Sequence, residues 1–172
     1  MGSVFANLLT DYMFHRIEDI TPEFLRELGV RGLIIDIDNT LMRWEEHEAP
    51  PSVREWLRAA SDAGFKIVLL SNGLRSKQAR VAGDLDLQVV AGWLPKPLPS
   101  GFRSAMRVLG LPPSQVASIG DIVFTDIWGA NRLGIITILV EPRSSRDFLG
   151  TRIWRLLERL FRLRRAKKTD PK

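Results

Sequence analysis

The chain has 172 residues, which is enough for one α/β domain with its own core and short appendages. It has no cysteine, which excludes disulfides, thiolate zinc sites and a cysteine nucleophile, and its two histidines are too few for a histidine-based metal site. The net charge is +5, but the segment from Arg152 onward carries nine basic and two acidic residues, so the rest is nearly neutral. Oxygen ligands and a hard cation are the metal chemistry that remains.

Residues 1–30 are predicted to form a helical segment packed on the domain. Apolar residues at helical spacing over residues 5–13 predict an amphipathic helix. Thr21 and Pro22 indicate the start of a second short helix, which Gly29 closes. No secretory signal or membrane span is indicated, so we expect a cytoplasmic protein that can associate with the inner face of the membrane.

Strands and helices alternate over residues 31–148. The predicted strands end near residues 35, 70, 90, 119 and 140, and helices are predicted over about 51–63, 74–82 and 99–109. A further helix is predicted to be capped by Thr125 and Asp126 and closed by Gly134. The alternation predicts an α/β fold with a doubly wound parallel sheet of about five strands.

Two carboxylates follow the first of these strands. Asp36 and Asp38 are separated by one residue, Ile37, so an extended backbone through Ile37 directs both side chains to the same side. Ligand sites in open α/β sheets lie at the carboxyl ends of the strands. Carboxylates this close repel each other unless a cation or a shared proton compensates, although a strand-end turn would also accommodate both.

Polar residues follow the other strands as well, namely Ser71 and Asn72, then Lys96, then Asp121 and Asp126. The four loops read Asp-Ile-Asp-Asn-Thr, Ser-Asn-Gly, Pro-Lys-Pro and Gly-Asp-Ile-Val-Phe-Thr-Asp. This set, over about residues 32–142, resembles the haloacid dehalogenase superfamily of aspartyl-phosphate phosphatases. The residues in and around these motifs resemble those of the YqeG-type branch, which is similar to mitochondrial and plastid phosphatidylglycerophosphate phosphatases.

The resemblance implies a role for each matching residue. Asp36 would be the nucleophile and Asp38 the general acid and base. Thr40, Ser71 and Asn72 would bind the phosphate, together with Lys96, which would offset the charge of the reacting pair. Mg²⁺ would be held by the carboxylates of Asp36 and Asp121 and by the backbone carbonyl of Asp38. Asp126 would support this metal site directly or through water. Asp126 also suits a helix N-terminus for purely structural reasons.

The spacing of the motifs leaves no room for an inserted cap domain. Asp38 and Ser71 are 33 positions apart, and Ser71 and Lys96 are 25 apart, which one helix and one strand fill in each case. An uncapped site stays open to a phosphate presented by a large partner. The activity implied by the branch is removal of the terminal phosphate of phosphatidylglycerophosphate at the membrane surface. A phosphatase of a protein, a nucleic-acid end or a soluble metabolite is the alternative.

Residues 149–172 are predicted to form a basic amphipathic helix and tail. Its apolar stripe includes Trp154 and Phe161, and arginines occupy the other side. This pattern suits an anionic phospholipid surface, but the stripe can equally pack on the domain or on a partner subunit. A non-enzymatic module that binds RNA or a ribosomal partner through the tail is a third hypothesis, although no nucleic-acid contact is expected from the pattern of aromatics.

Overall fold

Short apolar segments form one six-stranded sheet in the computed structural model, which describes residues 8–72, 75–90 and 96–144. The strands are β1 (Tyr12–Phe14), β2 (Gly32–Ile35), β3 (Lys66–Leu70), β4 (Gln88–Val90), β5 (Val116–Gly120) and β6 (Ile136–Val140). Their order is β1-β6-β5-β2-β3-β4, and every neighbouring pair is parallel. All strands therefore end at the same edge of the sheet.

Five α-helices connect these strands: α1 (Pro22–Glu27), α2 (Pro51–Asp62), α3 (Arg75–Asp84), α4 (Pro99–Leu109) and α5 (Trp128–Asn131). The 3₁₀ turns Ile17–Asp19 and Pro113–Gln115 precede α1 and β5, and the π-helical turn Val123–Ile127 leads into α5. The Thr21 hydroxyl accepts a hydrogen bond from the backbone N–H of Phe24 at 3.2 Å, as expected for an N-cap. Gly29 follows α1 with a positive φ of 74°, a conformation that glycine adopts without steric cost.

The core lies on both faces of the sheet because side chains alternate along each strand. Leu33 and Ile35 of β2 pack on one face, in the same cluster as the buried side of α2. Ile34 lies on the other face with Phe102 and Ala105 of α4. Helices thus cover both faces, which confirms the predicted doubly wound α/β fold.

The sheet has six strands rather than the predicted five, because Tyr12–Phe14 adds an edge strand next to β6. The expectation of a helix continuing through Tyr12 and Met13 is wrong. Tyr12 and Phe14 instead share one face, where each packs edge-on against Phe24 with ring centroids 5.1 Å apart. Strand pairing with β6 supplies the backbone partners, and local periodicity does not reveal such a partner. The first part of the predicted helix, residues 1–7, lies outside the described residues.

A second correction concerns Thr125 and Asp126, which do not cap the helix after β5. The helical segment already begins at Val123, so both residues lie inside its π-helical turn. The Asp126 carboxylate instead accepts a hydrogen bond from the backbone N–H of Ile122 at 3.1 Å. Gly134 ends the segment with a φ of 72°, as predicted.

The intervals between the motifs contain one helix, one strand and connecting loops in the described residues. Between Asp38 and Ser71 lie a loop, α2 and β3, and between Ser71 and Lys96 lie α3 and β4. No separate cap domain is present in the described ranges, as the spacing predicted. None of the described helices has the length and apolar character needed to cross a bilayer. The predicted tail, residues 149–172, lies outside the described residues.

Candidate active site

The polar loops converge at the edge where the parallel strands end. Asp36 directly follows β2, Ser71 directly follows β3, and Asp121 directly follows β5. Lys96 lies after β4 and three positions before the start of α4, and its peptide bond to Pro97 is cis. The topology therefore brings together residues that are up to 85 positions apart, as we predicted from the ends of the strands.

Lys96 lies between two carboxylates. Its Nζ is 2.5 Å from Asp36 Oδ1 and 2.6 Å from Asp126 Oδ1. The Lys96 side chain is 4% exposed, and those of Asp36 and Asp126 are 11% and 3% exposed. Ion pairs that exclude water this well interact strongly, and removing one partner would leave a buried charge uncompensated.

Three carboxylates at this edge form a candidate metal site. One oxygen each from Asp36, Asp121 and Asp126 lies within 4.8 Å of the others, and all three residues are buried. Lys96 forms ion pairs with two of these three carboxylates, Asp36 and Asp126. Clustered carboxylate oxygens are the donors that Mg²⁺ prefers, so these residues fit a hard divalent cation. The carboxylate of Asp38 does not belong to this cluster.

The pKa values follow from this crowding. Burial raises the pKa of Asp36 well above its ordinary 3.8; Lys96 opposes that shift, and the carboxylates of Asp126, Asp121 and Asp38 reinforce it. Burial alone would lower the pKa of Lys96, but Asp126 and Asp36 outweigh it and raise the pKa above 10.5. Lys96 therefore stays positively charged, while a bound cation would favour the ionised form of Asp36.

Asp38 and Thr40 belong to a tight loop after β2. Asp38 is half-buried, and Asn39 adopts a left-handed conformation with a φ of 63° while its N–H bonds the Met42 carbonyl at 2.7 Å. The buried Thr40 hydroxyl donates to Asp121 Oδ1 at 3.3 Å. The structure thus gives Thr40 a contact with the carboxylate cluster, and its predicted role in phosphate binding stays a prediction.

Ser71 and Asn72 have different surroundings. Ser71 is buried at the end of β3, where its predicted contact with a phosphoryl oxygen stays a prediction. The Asn72 side chain forms two hydrogen bonds with the backbone of Lys96: its Oδ1 accepts from the N–H at 2.7 Å, and its Nδ2 donates to the carbonyl at 3.1 Å. Asn72 therefore holds the Lys96 loop in place, a role that we did not predict because nothing in the local sequence indicates this partner.

Gly120 is a residue to which the sequence analysis assigned no role. A Cβ at this position would come within 2.5 Å of Asp126 Oδ2, which leaves no room for a larger residue. The Gly-Asp dipeptide at the end of a strand is the signal that could have indicated it, because glycine often marks a close approach of other groups. Its absence of a side chain lets Asp126 reach Lys96.

Comparison with known proteins identifies the family. A family model for haloacid dehalogenase-like hydrolases matches residues 9–134. The chain is 36% identical over 151 residues to the probable phosphatase YqeG of Bacillus subtilis, covering 88% of this chain and 87% of that protein. It is 30% identical over 151 residues to phosphatidylglycerophosphate phosphatase 1 of Arabidopsis thaliana, covering 78% of this chain but 41% of the plant protein.

More distant similarities agree with this assignment. Glyceraldehyde 3-phosphate phosphatase of Methanopyrus kandleri is 32% identical over 113 residues, which cover 56% of this chain and 48% of that protein. The fold resembles that of an uncharacterized protein from Listeria monocytogenes, with a TM-score of 0.55, 20% identity and coverage of 78% and 98%. It also resembles the magnesium-bound putative hydrolase YfnB of Bacillus subtilis, with a TM-score of 0.52, 14% identity and coverage of 70% and 91%. The chain therefore belongs to the haloacid dehalogenase-like hydrolase family, and among its members it is a phosphatase.

Proposed function

We propose that the chain is a Mg²⁺-dependent phosphomonoester hydrolase that works through an aspartyl phosphate on Asp36. The observation that supports this most directly is the buried Lys96 between Asp36 and Asp126, next to a third carboxylate, Asp121. A structural ion pair would need one carboxylate for one lysine. Three buried carboxylates clustered in one place suit a site that binds a cation and then a phosphate.

Asp36 acts as the nucleophile. Its ionised carboxylate oxygen attacks phosphorus, the bond from phosphorus to the substrate alcohol breaks, and an acyl phosphate forms on Asp36. Water then attacks that phosphorus, which releases inorganic phosphate and restores the carboxylate. Lys96 favours the ionised form of Asp36, against the effect of burial, and offsets the negative charge that the phosphate brings.

Asp38 moves the protons. It donates one to the departing alcohol oxygen in the first step and removes one from the attacking water in the second. Asp38 is half-buried in the loop after β2, so part of its surface stays accessible. A single carboxyl group thus begins and ends the cycle in the same protonation state.

The metal is expected to be held by the carboxylates of Asp36, Asp121 and Asp126 and by the backbone carbonyl of Asp38. When bound, Mg²⁺ supplies charge that orients the phosphate and reduces the repulsion between the two anions. The magnesium-bound YfnB, which shares the fold, supports the choice of this ion. Thr40 then helps to fix Asp121 through its hydrogen bond, and Ser71 donates a hydrogen bond to a phosphoryl oxygen.

Phosphatidylglycerophosphate is the proposed substrate, and the product is phosphatidylglycerol. The similarity to the plant phosphatidylglycerophosphate phosphatase supports this choice. Large apolar side chains that are more than a third exposed in the described part of the chain are Trp44, Leu98 and Val108. Trp44 lies six positions after Asp38 and Leu98 two positions after Lys96, and exposed apolar side chains suit contact with a lipid surface.

Phosphate release from phosphatidylglycerophosphate in mixed micelles tests the proposal. We expect Mg²⁺-dependent release by the unmodified protein and loss of at least about 10³-fold in Asp36→Asn, because the amide cannot form the acyl phosphate. Asp62→Asn is the matched control, since Asp62 is exposed at the end of α2. Equal release by Asp36→Asn and the unmodified protein would remove Asp36 from the chemistry.

A soluble phosphorylated metabolite is the second candidate substrate. The similarity to glyceraldehyde 3-phosphate phosphatase favours it, and an uncapped site does not exclude small esters. A panel of sugar and triose phosphates separates the two candidates. Turnover of one of these esters with none of the lipid would select the metabolite phosphatase.

A further inference from the structure

Arg143 makes three contacts just beyond the end of β6. Its backbone N–H donates to the carbonyl of Asn39 at 3.0 Å, and its side-chain Nε donates to the carbonyl of Thr40 at 2.9 Å. Its Nη2 forms an ion pair with Glu18, and only 14% of the Arg143 side chain is exposed. Arg143 therefore holds two consecutive carbonyls of the loop after β2.

Glu18 is itself held in place. It lies in the 3₁₀ turn Ile17–Asp19, and its Oε1 accepts a hydrogen bond from the Ser52 hydroxyl at 2.8 Å at the start of α2. The Glu18 side chain is 17% exposed. Burial alone would raise the pKa of Glu18, but hydrogen bonds from its own backbone and from Ser52, together with Arg143, outweigh burial and lower it. Glu18 is thus a fixed anionic anchor, and Arg143 links it to the loop.

The loop that Arg143 holds adjoins the reacting groups. Asn39 directly follows Asp38, and the Thr40 hydroxyl donates to Asp121. A continuous series of contacts therefore runs from Glu18 through Arg143 and the loop to the carboxylate cluster. These residues come from four separate parts of the chain, and the motifs of the sequence do not include Glu18 or Arg143.

We infer that Arg143, anchored by Glu18, is a positioning residue that fixes the loop carrying Asp38 for proton transfer to the leaving alcohol. This inference rests on the proposed phosphatase function. Asp38 must lie within hydrogen-bond distance of the leaving oxygen to donate its proton. Hydrogen bonds to the carbonyls of Asn39 and Thr40 restrict the backbone directly after Asp38, where a small shift would move the Asp38 carboxyl group.

Lysine cannot replace arginine in this role. The planar guanidinium directs Nε to the Thr40 carbonyl and Nη2 to Glu18 at the same time, whereas the lysine ammonium is a single point of charge on a flexible stem. Arg143→Lys therefore keeps the charge but loses one of the two bonds. Glu18→Gln keeps the hydrogen-bonding shape of the anchor but removes its charge.

The test compares two esters of similar size that differ in leaving group, using the full-length protein with Mg²⁺. Benzyl phosphate needs protonation of a poor leaving group, whereas p-nitrophenyl phosphate releases a stable phenolate without it. For Arg143→Lys we expect kcat/KM to fall about 30-fold on benzyl phosphate and about threefold on p-nitrophenyl phosphate, because general acid catalysis contributes about 10²–10⁴-fold. In Glu18→Gln, kcat/KM should also fall more on benzyl phosphate than on p-nitrophenyl phosphate, but by smaller factors than in Arg143→Lys.

Arg26→Lys is the matched control. Arg26 also links a glutamate, Glu23, to a backbone carbonyl, that of Ala63, but it lies on α1 near the opposite edge of the sheet. Arg26→Lys should leave kcat/KM unchanged on both esters. Circular dichroism of each metal-free variant shows whether it folds, and Glu18→Gln provides the test if Arg143→Lys does not fold.

Two outcomes would overturn the inference in different ways. Equal losses on the two esters, with the unmodified protein active on both, would make Arg143 a structural residue and leave the proposed function intact. If the unmodified protein hydrolyses no phosphate ester in the presence of Mg²⁺, the proposed function fails and this inference fails with it.

Discussion

Lys96 is the residue that connects the charges of the site. It pairs with Asp36 and Asp126 at once, and Asn72 holds its backbone from both sides through the N–H and the carbonyl. The lysine is therefore fixed before any substrate arrives, which avoids the cost of ordering a long side chain during the reaction. A lysine that moved freely in solvent would lose side-chain conformational entropy at each turnover.

The raised pKa of Asp36 leads to a prediction for metal binding. A protonated carboxyl group cannot serve as a metal ligand, so protons and Mg²⁺ compete for Asp36 where the pH is not far above that raised pKa. The affinity for Mg²⁺ should therefore rise with pH over the range in which Asp36 titrates, which burial moves above the ordinary range of a carboxyl group, and binding within that range should release protons. Isothermal titration calorimetry in two buffers of different ionisation enthalpy measures both quantities.

Asp36→Asn is the control for this prediction, because the amide does not titrate. The variant should bind Mg²⁺ more weakly and lose the part of the pH dependence that belongs to Asp36. An affinity that stays constant over this range in the unmodified protein, with no proton release, would contradict the prediction.

Among the secondary-structure elements, β5 and the π-helical turn after it decide where Asp121 and Asp126 lie. Asp121 directly follows the strand, and the turn brings Asp126 back over Gly120. The Ile122 N–H bonds the Asp126 carboxylate, which fixes its orientation toward Lys96. A regular α-helix capped by Thr125 and Asp126 would have placed these side chains differently. Tight packing of strand and turn therefore shapes this half of the site.

Gly120→Ala should damage the site through this close approach. The added methyl group would overlap the Asp126 side chain and displace it from Lys96. We expect a loss of about 1–3 kcal/mol in the free energy of unfolding, as for other overpacked positions. Because a displacement of about 1 Å can cost about 10²-fold in rate, kcat should fall by about that factor. Urea unfolding and steady-state kinetics measure the two effects.

Gly83→Ala is the matched control for that substitution. A Cβ at Gly83 in α3 would meet no atom within 4 Å, so alanine should leave activity unchanged and slightly stabilise the helix. Similar activity in the two variants would show that Asp126 does not depend on the space at Gly120.

The chain as a whole combines a nearly neutral body with a basic C-terminal segment. The catalytic edge of the sheet is open in the described residues, since no cap domain lies between the motifs. The segment from Arg152 onward has nine basic and two acidic residues, so the net positive charge of the chain lies there. We propose that this segment brings the open site to anionic phospholipid, which would place a lipid phosphate within reach of Asp36.

Neutralising the segment should weaken binding to anionic vesicles. Each basic residue near such a surface contributes about 1 kcal/mol, so four substitutions should lower the partition coefficient by at least about 100-fold. The substitutions in the full-length protein are Arg152→Gln, Arg155→Gln, Arg159→Gln and Arg162→Gln. Co-sedimentation with anionic and with zwitterionic vesicles measures the effect, and turnover of p-nitrophenyl phosphate should not change.

A second set of four substitutions provides the control at equal charge. Exposed arginines of the domain are replaced in the same way, at positions Arg58, Arg80, Arg103 and Arg107. Their loss should have little effect on vesicle binding. If both sets bind vesicles as the unmodified protein does, the apolar stripe of the tail packs on the domain or on a partner subunit.

Local patterns were enough to predict most of the fold and the edge of the sheet at which the polar residues meet. Alternating strands and helices gave the parallel sheet, and polar residues at the strand ends gave Asp36, Lys96 and Asp121. These predictions succeeded because hydrophobic periodicity and strand-end chemistry depend on neighbours in the chain. The motifs also carried enough detail to indicate the family.

Contacts between distant segments were decided by the tertiary structure alone. Tyr12 is in a strand because β6 offers it backbone partners, and Asn72 holds Lys96 because two loops meet at the edge of the sheet. Arg143 reaches the loop after β2 from about 100 positions away. A hydrogen bond between remote residues leaves no period or spacing in the sequence, since its partners become neighbours only when the sheet has formed.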